Sequence, residues 1–232
     1  MSNKIDLIIQ HLTQVTTLHA MAESIGIQGK IRELQEWQCK RLLASHEPLW
    51  TQKRFNPAMQ FFIDELYGPK DFTQRDQDIA KVVPKMAKIL PEKALVSLES
   101  AMHLNRLSYE LDMDMAKALG DKDINRDSYA DAYRSCQNQS DRALQINYIE
   151  ELGQDLAEVV NITGISTLLK LARKPAQLAG VIALHEFLES GFNAFKKLGD
   201  VQDFIQPIVT LERQIMLDLF DENTPNPLPE GL

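Results

Sequence analysis

The sequence predicts an all-α fold: a single-domain helical bundle of about eight helices around one central apolar helix. Three observations carry that expectation. Apolar residues recur at intervals of three and four along most of the chain, the period of a helix with one buried face. No strand-like alternation of useful length interrupts them. Gly26, Gly120 and Gly164 fall where periodic segments end, as residues that tolerate a left-handed exit do.

From Ile5 to Glu23, the residues Ile5, Ile8, Ile9, Leu12, Val15 and Ala22 share one face. A second helix, to about His46, carries Ile31, Leu34, Gln38 and Leu42, with Trp37 and Arg41 beside the stripe, until Pro48 disfavours continuation. Asn56 is a good N-cap and Pro57 suits the first helical position, so a short helix with an aromatic-rich face of Phe61, Phe62 and Leu66 follows. Gly68 and Pro69 are read as its exit. Thr73 and Asp76 have the spacing of a capping box that opens the next helix, in which Pro84 marks a kink or early stop.

A long helix, Glu92 to Leu119, is expected to bury Leu98, Ala101, Leu104, Leu111 and Met115. Its opposite side, Glu99, His103, Arg106 and Glu110, reads as a solvated face of helical charge pairs. Ser128 to Thr163 is helical in pattern but polar all round its middle, so a kink or break near Asn138, or curvature, is expected, and Gly153 marks close packing. A short helix, Ile165 to Ala172, precedes Pro175. Ala176 to Leu198 is read as the apolar centre, where Gly180 and Gly191 let neighbours approach. The last helix, about Asp203 to Phe220, is expected to bury Phe204, Ile208, Leu211, Ile215 and Leu219. Residues 1–221 then form one domain, and residues 222–232 a disordered or surface-draped tail.

A formal net charge of −8 without a basic stripe argues against nucleic acid as a partner. Apolar runs are too short for a membrane span. The two cysteines, Cys39 and Cys136, stand far apart in no metal spacing, and the start of the chain has no secretory pattern; a cytoplasmic protein with reduced thiols is expected.

The stretch FFIDELYGPKDF followed by QRD resembles the signature of the bacterial FFLEELY-motif proteins, with Ile63 and Asp64 where that signature has Leu and Glu. WQCKRL at Trp37 to Leu42 and FLESGFNAF at Phe187 to Phe195 extend the likeness. The resemblance implies an all-helical soluble domain. It brings no reaction, cofactor or catalytic residue.

A carboxylate-bridged metal bundle needs E-x-x-H pairs, whereas Glu99–His103 and His185–Glu189 are spaced by four, so neither metal nor cofactor is expected. Trp37, Arg41, Asp64, Tyr67, Asp71 and Arg75 are a candidate polar cluster. Trp can stack a planar ligand and Arg can hold an anion in its fork. Alternatively, and preferred here, the cluster is an ion-pair network that fixes the corner, with Arg75 paired to Asp64 or Asp71. His19 lies on an apolar helix face and reads first as a core imidazole. TTLHAMAES also resembles the first-helix histidine segment of haem oxygenases, which makes His19 a candidate haem ligand; their glycine-rich distal helix finds no counterpart. The expected function is a non-enzymatic ligand-binding or protein-interaction module for an unknown protein or small molecule, with a homodimer as one assembly. The alternative is a haem-oxygenase-like enzyme or haem binder using His19.

Overall fold

The computed structural model describes residues 2–67, 73–86 and 92–232, so the sequence readings at Gly68, Pro69 and Asp71 lie outside the described residues. These residues form eleven α-helices and one π-helical turn, with no strand among them. The helices are α1 (Ser2–Ser24), α2 (Gln28–Ser45), α3 (Glu47–Trp50), α4 (Asn56–Phe62), α5 (Thr73–Met86), α6 (Glu92–Leu119), α7 (Arg126–Ser135), α8 (Gln139–Val160), α9 (Ile165–Leu178), α10 (Ile182–Lys196) and α11 (Gln202–Phe220). The π-helical turn, Ile63–Tyr67, prolongs α4 and comprises the IDELY of the signature stretch.

The number exceeds the expected eight for local reasons. Pro48 sits in the first turn of α3, where its missing N–H costs no intrahelical bond, so a short helix restarts after His46. The polar stretch around Asn138 breaks outright into α7 and α8, because Gln137 takes φ 51° in the left-handed region. α9 runs through Pro175 to Leu178 instead of stopping at Ala172. No residue of α9 is buried, so the carbonyl that Pro175 leaves unbonded can be hydrated, and Gly180 at φ 69° turns the chain instead. Asn56 is the first residue of α4 rather than its cap, and its amide donates to the Trp50 carbonyl at 3.2 Å.

The centre of the bundle also differs from expectation. The longest helix, α6, packs against α1, α2, α7 and α8, whereas α10 buries only one face through His185, Gly191, Phe192, Ala194 and Phe195. Leu188, on its other side, is 47% exposed. The main core joins α2, α4, α6, α7, α8, α10 and α11, and smaller clusters lie under α1. Phe61, Phe62, Phe195 and Phe204 meet in its middle with ring centroids 5.9–6.5 Å apart. These are ordinary separations for tilted and edge-on aromatic pairs.

Two glycines permit that packing. A Cβ on Gly153 would stand 2.6 Å from the Ile205 side chain, and one on Gly191 would stand 2.8 Å from the Phe61 ring. Gly191→Leu is therefore expected to lower unfolding free energy by about 1–3 kcal/mol through overpacking. Chemical denaturation checks this, and unchanged stability would place that face of α10 out of contact. Near the C-terminus the chain meets α7. Leu228 is 3% exposed, and its carbonyl accepts from Arg126 Nε at 2.8 Å.

Candidate functional site

A cluster of buried charges joins α2 to α11. On α11 the inward stripe runs Phe204, Ile208, Glu212, Ile215, Leu219, at intervals of four, four, three and four. Glu212 takes the inward place expected for Leu211, which is 37% exposed. Its Oε1 accepts from Arg41 Nη1 on α2 and from His46 Nε2, at 2.9 Å, on the residue that ends α2. The three side chains are 17, 6 and 1% exposed. Burial pushes the Glu212 carboxyl up, but Arg41 and His46 overcome it and hold the group at about 2. Glu212 is thus a fixed carboxylate that joins two elements.

Next to this cluster lies a cavity of about 80 Å³ bounded by residues of α2, α4, α7, α8 and α11. Its wall is largely apolar, with Met59, Ile146, Ile208 and Met216 among the lining. Its charged members are Arg41, Arg142 and Glu212, and Tyr129 and Tyr133 also face it. Arg142, 4% exposed, lies over the Tyr133 ring at 4.6 Å. Trp37 stacks on Tyr129 with centroids 4.5 Å apart. Burial raises both tyrosine hydroxyls, although Arg142 pulls against it, so they stay neutral donors. Behind them Asp112 accepts from Gln35 at 3.0 Å and Gln38 at 3.2 Å. Burial raises its carboxyl against those two amides and the charge of Arg142.

Of the six residues expected to form one polar cluster, the four whose side chains are described divide between two places. Trp37 and Arg41 belong to this interior. Asp64 is exposed and accepts from Gln60 at 2.9 Å. Arg75 is 7% exposed; its Nε donates to Asp76 Oδ1 at 2.9 Å and its Nη1 to the Glu65 carbonyl at 3.0 Å. Its guanidinium also lies 5.1 Å from the Phe187 ring centroid. Among the described residues Arg75 thus meets Asp76, one residue along the chain, rather than Asp64. Asp71 lies outside the described residues, and Tyr67 enters by backbone alone. Arg75 thus links the π-helical turn to α5 and α10.

His19 stacks on Tyr109, with centroids 4.0 Å apart and ring planes 24° apart, and is absent from the cavity wall. The expected solvated face of α6 is instead a polar seam. Ser97 donates to Asp155, Gln145 donates to Ser108 at 2.8 Å, and Tyr148 Oη lies 2.7 Å from His103 Nδ1, all between α6 and α8. From the other side α1 brings His11, whose ring stacks on His103 at 4.6 Å. Burial, then His11 and Arg106, lower the His103 pKa. Sequence reading missed His11, Arg142 and Glu212. The last two do carry a signal: each stands four residues from an inward isoleucine, Ile146 and Ile208, and so interrupts an apolar stripe with a charge.

Fold and site together define an all-helical domain organised around a buried ion cluster and a small internal cavity. The chain belongs to the family described as a domain of unknown function, DUF8198, whose model matches residues 17–227. No curated protein and no solved structure matches it.

Proposed function

We propose that this protein is a non-enzymatic binding module that takes a short-chain organic acid into the cavity beside Glu212. The observation behind this reading is the cavity wall, which is largely apolar but carries the guanidiniums of Arg41 and Arg142 beside the Glu212 carboxylate. A ligand carboxylate entering there would add a charge-assisted contact to these guanidiniums. Arg142 and the tyrosine hydroxyls are suited to hold such a head group, because charge-assisted hydrogen bonds are about twice as strong as neutral ones. The isoleucine and methionine side chains supply dry surface for a short tail. A cavity of about 80 Å³ is smaller than the roughly 150 Å³ that accepts benzene, so the ligand is an acid of a few carbons. The haem reading through His19 gains nothing from this geometry, since that imidazole lies against Tyr109.

A cytoplasmic setting belongs to the same proposal. No helix among the described residues is long and apolar enough to cross a membrane. Burial first, then Asp112, pushes the Cys39 thiol up to about 11, which keeps it unreactive. The resemblance to the bacterial FFLEELY-motif proteins also stays within the proposal, supported by the π-helical turn that the signature residues form.

Isothermal titration with butyrate, and with butyramide as its uncharged counterpart, tests the proposal. Butyrate is expected to saturate one site. Butyramide and the folded Arg142→Leu variant are expected to bind at least about tenfold more weakly, the loss of one charged hydrogen bond. Equal affinity for the acid and the amide, or no saturable binding, would contradict it.

A further inference from the structure

We propose that His11, Glu99 and His103 form a binding site for a divalent transition ion of the zinc type, in the groove between α1 and α6. One ligand atom from each residue lies within 4.8 Å of the others. The distances within the group suit a shared ion better than a hydrogen bond. His11 Nε2 stands 3.4 Å from Glu99 Oε1. That is long for a bond between an imidazole and a carboxylate, which settles near 2.9 Å. It equals the separation of two donors on one tetrahedral ion with bonds of about 2.0–2.1 Å, which is about 3.4 Å. His11 is 7% exposed and its Nδ1 has no hydrogen-bond partner among the described residues. A buried imidazole held by so weak a bond is costly without another partner.

The third ligand needs a small movement. Glu99 and His103 are four residues apart on α6, so they share a face and both reach toward α1. An arginine can only donate, so His103 Nε2 accepts from Arg106 Nη2 at 2.9 Å, and the ring proton is on Nδ1, donated to Tyr148 Oη at 2.7 Å. Binding exchanges the Arg106 donor for the ion and tilts the His103 ring out of its stack on His11. Arg106 keeps its Nη1 bonds to both Glu110 oxygens at 2.6 Å, so the displaced guanidinium stays neutralised. Tyr148 remains on Nδ1 as the outer partner that fixes tautomer and ring orientation, the usual arrangement behind a metal-bound histidine. Two imidazoles and one carboxylate are borderline donors that suit zinc, cobalt or nickel over magnesium or calcium. Glu99, with its side chain 18% exposed, is on the open side by which an ion enters.

Cobalt(II) titration of the tag-free full chain, followed by visible absorption, reads coordination directly. Wild-type protein is expected to develop a d–d band that saturates at one equivalent and is bleached by one equivalent of zinc. Glu99→Gln, which keeps the side chain's shape, and His11→Ala should each weaken binding about a hundredfold. Tyr148→Phe should weaken it about tenfold, the loss of an outer-shell partner. Circular dichroism confirms that each variant is folded. Absence of a d–d band, or an affinity left unchanged by Glu99→Gln, would overturn the proposal and leave the stacked histidines as packing.

Discussion

Glu212→Ala is expected to destabilise the fold by about 3–5 kcal/mol, the cost of removing one partner from a buried charge cluster. The substitution leaves the Arg41 guanidinium and the His46 ring inside the protein without the oxygen that both address. It removes little apolar contact, so the loss is almost wholly electrostatic. Replacing the cluster as a whole is expected to be milder. Arg41→Met with Glu212→Leu takes out both charges and fills their volume, and such replacements of buried pairs are often near neutral. Urea denaturation of the single and double variants separates the two costs.

The same group sets a pH dependence whose sign follows from its depressed pKa. A carboxyl at about 2 in the folded protein, against an ordinary 4.5, stabilises the fold fully above pH 4.5. That contribution is lost progressively as pH falls from 4.5 toward 2. Wild-type unfolding free energy should therefore drop across this window more steeply than that of Glu212→Gln. Parallel slopes for the two proteins would show that Glu212 titrates normally.

Arg75→Ala is expected to cost about 3 kcal/mol, again because a buried partner is removed. Asp76 then keeps a carboxylate whose side chain is 13% exposed, without its main neutralising charge. Burial already raises the Asp76 carboxyl despite Arg75, so without Arg75 it rises further. The Glu65 carbonyl in the π-helical turn also loses its donor, and the Phe187 ring loses the cation above it. A double-mutant cycle assigns the pairing: Arg75→Ala with Asp76→Asn should show coupling above about 0.5 kcal/mol, and with Asp64→Asn essentially none. Stability unchanged or raised in Arg75→Ala would remove the structural role of this corner and make it a place to look for a ligand.

The all-helical class was readable because periodicity survives without tertiary information. The close packing at Gly153 and Gly191 and the break near Asn138 also follow from local rules about backbone freedom, whereas α8 ends at Val160, ahead of the stop expected at Gly164. What escaped was whatever depends on which face meets which neighbour. The Glu99–His103 side of α6 is polar, and polar faces are usually solvated, but here α1 and α8 cover it: His103 bonds Tyr148 across helices, while Arg106 keeps its expected pair with Glu110. Leu211 and Glu212 are neighbours on one helix, and a tilt of a fraction of a turn decides which is buried. Composition favours the leucine; the fixed cations of Arg41 and His46 favour the glutamate, and they come from a helix some 170 positions away. Arg75 was expected to reach back to Asp64 or Asp71, which crowd the same corner. Among the described residues the guanidinium meets its own neighbour Asp76, and Asp64 accepts from Gln60.

Methyl NMR on protein labelled at isoleucine, leucine and methionine locates the bound acid most directly. Adding butyrate should shift the methyl signals of Ile146, Ile208 and Met216 around the cavity, saturating with one affinity, while Leu168 and Leu171 on the exposed α9 stay in place. Shifts centred on α9, or an unchanged spectrum at millimolar butyrate, would contradict a ligand site beside Glu212.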